Sequence, residues 1–242
     1  MNESTDKANN GRAGTERALV WDLWVRITHW ALVVTVAGAW LTQELPGDWF
    51  TLHTWLGYTT LVLVATRLVW GFVGTRHARF VNFVRGAAQI VAYARATVRG
   101  TPPATPGHNP VGALMVLALL ALLLAQALTG LFASDDVSEF GPLLGLVTPY
   151  FSSLATRWHH RIFDVLAVLI SLHVAAALAY LFWKRVNLIT PMLTGYKPAD
   201  QVPPGERIQG SRLWLAVAIA ALFAALLAWG ISSAPVAAPL FI

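Results

Sequence analysis

Apolar residues gather into five long runs, at about residues 23–41, 52–73, 111–132, 159–183 and 213–231, with short polar stretches between them. A bilayer core about 30 Å thick takes roughly 20 mostly apolar residues per helix, so each run predicts one transmembrane helix. Chain breakers stand in the gaps: Pro46-Gly47 after the first run, Pro102, Pro103, Pro106 and Pro110 before the third, and Pro191 with Pro203-Pro204 between the fourth and fifth. The pattern therefore reads as an all-α integral membrane protein whose connections are surface turns, preceded by a polar, disordered stretch of 19 residues. In the long gap after the second run, Phe80, Phe83, Val84, Ala87, Val91, Ala94 and Val98 repeat at helical spacing, with Arg85, Arg95 and Arg99 off that stripe. This predicts a helix lying in the membrane interface with snorkelling cations.

Composition agrees. Of 242 residues 56% are hydrophobic and 12% charged, against about 45–50% apolar in soluble domains, and a soluble domain of this size could not bury the excess. The formal net charge is +5. The basic residues fall between the apolar runs, which makes anionic membrane lipids the partner and argues against nucleic acid. With no cysteine, disulfides, iron-sulfur clusters, thiolate zinc sites and covalently attached haem are excluded. A metal cofactor must hang on histidine, methionine or carboxylate, and there are seven histidines.

The cations sort by side. Lys7, Arg12 and Arg17 precede the first run; Arg76, Arg79, Arg85, Arg95 and Arg99 follow the second; Lys184, Arg185, Lys197, Arg207 and Arg212 follow the fourth. The opposite side carries Glu44, Asp48, Asp135, Asp136 and Glu139, with only Arg157 nearby. The positive-inside rule then expects a cytoplasmic N-terminus and an outer C-terminus. Ala37-Gly38-Ala39 loosely fits a signal-peptide cleavage site, but the long charged start and the Arg26 and His29 inside the run argue for a retained helix.

A histidine in hydrocarbon is costly unless its nitrogens are satisfied, so each intramembrane histidine is a functional candidate. His159 and His173 are 14 residues apart, which on a helix separates them by about 40° in azimuth and about 21 Å in height. They share a face at two depths, and His160 is the outlying, interfacial member of its cluster. Chain direction then pairs His53 with His159 at the outer level and His29 with His173 at the inner one. Two stacked bis-imidazole sites are the arrangement expected for two non-covalently bound haem b groups, with each second ring nitrogen donating to an acceptor such as a backbone carbonyl.

Along the second run Gly57, Thr60, Val64, Arg67 and Gly71 lie near the azimuth of His53. Gly57 and Gly71 would let a flat macrocycle approach the backbone, with close helix packing as the competing reading. Arg67 stands one 14-residue step below His53, where a haem propionate is the natural partner; a quinone hydrogen bond and snorkelling are the alternatives. Arg26, one turn before His29, is a second propionate candidate. Gln126 and Thr129 read as helix-helix contacts or as hydrogen bonds to a haem edge or quinone. Asn109 and Pro110 fit an N-cap and first helical position, His108 a surface residue and His77 a solvated one. Asp164 falls on a different face from His159, a partner at most for Arg161 or Arg157. The acidic trio Asp135, Asp136 and Glu139 reads as a solvated loop or as a steering patch for a basic soluble cytochrome.

At this point the motifs carry a resemblance. Trp21-Asp22-Leu23, Arg26-Ile27-Thr28-His29-Trp30, His53-Thr54-Trp55-Leu56-Gly57-Tyr58, Arg67-Leu68-Val69-Trp70-Gly71-Phe72-Val73-Gly74 and Arg79-Phe80 resemble the bacterial cytochrome b561 and nickel-iron-hydrogenase b-type cytochrome subunit family. So do Gly107-His108-Asn109-Pro110, Leu128-Thr129-Gly130-Leu131-Phe132 and Asn187-Leu188-Ile189-Thr190-Pro191-Met192-Leu193-Thr194-Gly195. The resemblance implies a four-helix transmembrane bundle over residues 20–197 holding two haem b groups, with axial ligands falling on His29, His53, His159 and His173. A cytoplasmic linker and a fifth transmembrane helix, within residues 198–242, lie outside it. The family usually carries His-Glu where this chain has His159-His160. The resemblance further implies residence in the bacterial inner membrane and electron transfer between a quinone pool or membrane redox partner and a periplasmic donor or acceptor. The partner would be a redox subunit such as a hydrogenase, or a cytochrome c. The rival readings are a metal-dependent membrane enzyme and a haem-free transporter whose histidines only pack.

Overall fold

The computed structural model describes residues 16–101, 103 and 105–235; Lys7, Arg12 and Pro102 lie outside them, as do residues 1–15. In chain order the elements are strand β1 (Arg17–Leu19), helices α1 (Leu23–Glu44), α2 (Phe50–Val73), α3 (Phe80–Phe83), α4 (Ala87–Val98), α5 (Pro110–Gly130), α6 (Pro149–Phe182) and α7 (Ile189–Thr194), strand β2 (Tyr196–Pro198) and helix α8 (Leu213–Ser233). Among the described residues α1, α2, α5, α6 and α8 are long and apolar enough to cross a membrane. Their large apolar side chains are turned outward, as at Val34, Phe72, Val168, Leu172 and Leu222, the surface that lipid rather than water requires. The chain divides into two compact units.

Of the described residues, the first unit takes in those up to 26, those between 70 and 115, and 175–213. Here β1 pairs antiparallel with β2, Arg17 opposite Pro198 and Leu19 opposite Tyr196, so part of the stretch expected to be disordered is a strand. Gly195 closes α7 at φ 91°, and its carbonyl accepts from the amides of Val20 and Trp21. A side chain there would meet the Trp21 carbonyl, so both the conformation and the space demand glycine. Lys197 is not a free surface cation: Nζ donates to the carbonyls of Pro106 at 2.7 Å and Thr105 at 3.3 Å, and burial lowers its pKa. Asp22 caps α1 by accepting from the Val25 amide at 2.8 Å, and its other oxygen accepts from Trp70 Nε1 at 3.2 Å and from Thr75 Oγ1.

Three expectations are corrected in this unit. The interface helix is two helices, because Val84, Arg85 and Gly86 leave helical conformation between α3 and α4. Its apolar stripe faces outward at Val84, Ala87, Val91 and Val98, the last 89% exposed, but Phe83 is turned inward, as is Tyr93, whose hydroxyl is 3.5 Å from that of Tyr180. His77 is buried, not solvated, with Nε2 2.8 Å from the Glu206 carbonyl oxygen. His108 is half-buried, its ring packed 4.6 Å from those of both Trp21 and Phe83. Asn109 does cap α5, Oδ1 accepting from the Gly112 amide at 2.7 Å.

The second unit takes in residues 27–69, 116–174 and, of the described residues, 214–235. Thr60 Oγ1 donates to Thr35 Oγ1 at 2.9 Å, a hydrogen bond between α1 and α2 of the kind that holds helices together in lipid. Helix α6 starts ten residues before the predicted span, at Pro149. Thr148 caps it, accepting from Phe151, and Pro149 occupies the first turn, where no amide partner is lost. This polar extension packs under the preceding loop: Ser152 Oγ donates to the Phe132 carbonyl, and Thr156 Oγ1 accepts from the Ser134 amide. In that loop Asp135 organises its own turn, accepting from the amides of Val137, Ser138 and Glu139, and these bonds hold its carboxyl at a pKa of about 2.

Candidate functional site

Within the second unit the four predicted histidines meet in the predicted pairs. His29 on α1 and His173 on α6 have ring centroids 6.2 Å apart, and His53 on α2 and His159 on α6 have theirs at the same 6.2 Å. Each pair is built from two helices, and α6 serves both because its two histidines recur after four near-whole turns. His160 is exposed and lies outside the pairs.

The His53–His159 pair is oriented by backbone. His53 Nδ1 lies 3.0 Å from the Ala39 carbonyl oxygen and 3.2 Å from Thr42 Oγ1. His159 Nδ1 lies 2.9 Å from the Gln126 carbonyl oxygen and 3.3 Å from Thr129 Oγ1. A carbonyl can only accept, so both rings carry their proton on Nδ1 and present the Nε2 lone pair. At His159 that lone pair is faced by the Gln126 side-chain nitrogen, 3.2 Å away. Gly130 makes room for the ring, since a Cβ there would come within 2.9 Å of His159. In the His29–His173 pair, His29 Nδ1 is buried with no hydrogen-bond partner among the described residues.

The remaining candidates separate. Arg67 is buried, at 5% exposure, so it does not snorkel. Gly57 is half-buried with open space where a Cβ would stand. Gly71 does not share that role: an added Cβ would run into the Phe80 ring, so its missing side chain is filled by this chain's own aromatic. Arg26 donates from Nη1 to the Leu193 carbonyl at 2.6 Å and keeps a buried Nε with no hydrogen-bond partner among the described residues. Gln126 and Thr129, read as helix contacts or as hydrogen bonds to a ligand, make the helix contact: both reach from α5 to His159 on α6. Nothing in the sequence marked Ala39, Thr42 and Gly130 as neighbours of a histidine, because a backbone carbonyl looks alike at every residue and a threonine or glycine in an apolar helix has many uses. Among the described residues no group of three or more histidine, cysteine or acidic side chains could hold a metal ion.

Comparison with known proteins bears on this arrangement. Residues 20–195 match the family model of prokaryotic cytochrome b561. A probable Ni/Fe-hydrogenase B-type cytochrome subunit of Bradyrhizobium diazoefficiens is 24% identical over 225 residues, covering 79% of this chain and 90% of that protein. No solved structure matches. The family match spans α1, α2, α5 and α6 with all four paired histidines, and the chain accordingly belongs to the prokaryotic cytochrome b561 family, which includes b-type cytochrome subunits of nickel-iron hydrogenases, as a multi-pass membrane protein of the electron-transfer class.

Proposed function

We propose that this chain is a di-haem b-type cytochrome of the bacterial inner membrane, with one haem held by His29 and His173 and the other by His53 and His159. The observation that carries the reading is the equal 6.2 Å centroid separation of the two histidine pairs. Two imidazoles gripping one metal from opposite sides, each through a bond of about 2 Å, stand about 6 Å apart between centroids. Two-histidine sites without nearby acidic ligands suit a macrocycle that supplies the other four donors. The buried His29 Nδ1, which has no hydrogen-bond partner among the described residues, and the open space over Gly57 fit such a group, and the absence of cysteine makes its attachment non-covalent.

When bound, each haem iron would carry one electron by cycling between ferric and ferrous states. The protein's part is orientation and field. The Ala39 and Gln126 carbonyls hold the two outer imidazoles in the ligating tautomer and raise their basicity. The Gln126 amide, which faces His159 Nε2, has to yield that nitrogen. Arg67 and the Nε of Arg26 are the cations assigned to propionates, and the surrounding apolar helices keep water away. The direction of the cation bias puts the His29–His173 pair on the cytoplasmic side and His53–His159 on the periplasmic side. That arrangement suits electron exchange between a quinone or membrane redox subunit, such as a hydrogenase, and a periplasmic partner such as a cytochrome c.

The test is haem stoichiometry with reduced-minus-oxidised visible spectra of the purified full-length chain. Two haems per chain with split low-spin bands are expected. His29→Ala or His173→Ala should remove one chromophore and His53→Ala or His159→Ala the other; any single replacement that leaves both loaded and spectrally intact overturns the assignment.

A further inference from the structure

The outward side of α6 carries charge that a lone bundle has no use for. Arg157, His160, Arg161 and Asp164 follow at i, i+3, i+4 and i+7, which sets them on one helix face, and all four are exposed. Asp164 is nine residues from His173, half a turn round the helix from it, so it points away from the paired imidazoles. It also lies five residues past His159, about 7 Å deeper along the axis. Among the described residues neither Arg161 nor Asp164 makes a hydrogen bond or ion pair, and Arg157 reaches only Ser153 Oγ at 3.5 Å. Ionisable side chains at lipid depth are costly and pair with one another or with buried polar groups. Directly below, Ala167 and Ser171 continue the same azimuth and are exposed, and the Ser171 hydroxyl turns back onto the Ala167 carbonyl at 2.8 Å. That leaves a shallow surface to which another helix backbone can come close.

We propose that this face of α6 is a symmetric contact with a second copy of this chain in the membrane, Asp164 of each copy pairing with Arg161 of the other. The charge pattern selects the occupant. The face bears an anion and a cation one turn apart, so it complements itself when two α6 helices run in parallel about a two-fold axis along the membrane normal. Each cation then stands one turn above the other copy's anion, a step an arginine side chain spans. A helix of a different protein would need its own matching pair of charges at these two levels.

Because the chain has no cysteine, Ala167→Cys introduces a single thiol at the contact. In native membranes under mild oxidation this variant is expected to give a disulfide-linked dimer, whereas Val165→Cys, about 160° away round the same helix, is not. Purified wild type should scatter light as two chains per particle. Asp164→Arg and Arg161→Asp should each fall to one chain, and the two variants co-expressed with different tags should recapture each other, since a face of cations then meets a face of anions. That exchange between chains also separates the contact from a pair formed within one helix, which predicts none. A wild type that is one chain per particle in both detergent and lipid nanodiscs overturns the proposal. So does equal cross-linking at positions 165 and 167, or failure of two folded, monodisperse variants to recapture each other.

Discussion

Asp22 is 1% exposed and still carries a carboxylate, and its donors explain why it is tolerated: the Val25 amide, Trp70 Nε1 and Thr75 Oγ1 all point at it. Asp22→Ala removes a helix cap and strands buried donors, a loss of about 2–4 kcal/mol, read as a lowered thermal midpoint of the detergent-solubilised protein. The motif Trp21-Asp22-Leu23 was visible as a family mark, but its reason was not, since Trp70 and Thr75 lie some fifty residues away. His77 shows the same limit. Its flanking arginines suggested solvent, whereas burial lowers its pKa from the ordinary 6.5. Its neutral form donates to Glu206, so this contribution to stability is complete above about pH 6.5 and is lost as pH falls below that value. Amide exchange at Ala78 and Arg79, corrected for intrinsic rates, should quicken on acidification from pH 7.5 to 5.5, and His77→Phe should abolish the change. For Arg67 the spacing from His53 set the depth, and the structure added burial. Arg67→Leu is expected to lower the midpoint potential of one haem by about 50–100 mV, the size of a unit charge about 9 Å away at an effective dielectric near 20, leaving the other haem unmoved; a redox titration that does not shift removes Arg67 from the account.

Helices α1, α2 and α5 begin within a few residues of where their apolar runs begin, because in these segments the membrane-facing residues and the helical residues are the same ones. Helix α6 departs from this. Its first ten residues, with Ser152, Ser153 and Thr156 among them, are helical for reasons of capping and loop packing rather than hydrophobicity. The segment from Phe80 to Val98 keeps most of its apolar stripe outward, with Phe83 turned inward, and loses its helical continuity over Val84, Arg85 and Gly86, which no periodicity of side chains could reveal. Two glycines of α2 that looked equivalent by azimuth come apart in the same way. Gly57→Leu should leave helix content and thermal stability of the haem-free protein nearly unchanged while blocking loading of one haem, since only open space stands above it. Gly71→Ala collides with Phe80 and should cost about 1–3 kcal/mol of stability with both haems still bound. Parallel thermal and spectral measurements on the two variants decide the matter.

At the scale of the molecule, the loop between α5 and α6 bears Asp135, Asp136 and Glu139, and although Asp135 spends its oxygens on its own turn, its charge remains. If a basic soluble cytochrome docks there, the rate of electron exchange should fall steeply as ionic strength rises; a rate indifferent to salt would reject that docking. The larger division concerns what each level of description decides. Span number, span length and the two depths of the histidines were determined by the amino-acid sequence alone, because a helix converts residue count into height at a constant rise and a bilayer gives that height a fixed reference. With two histidines on one helix face, the partners followed from chain direction. Which imidazole nitrogen is free, which carbonyl holds the other, which glycine stays open and which charges face outward were decided only by tertiary structure. Those properties depend on azimuth and on backbone groups that are chemically alike at every position, and only the packing of distant segments singles one of them out.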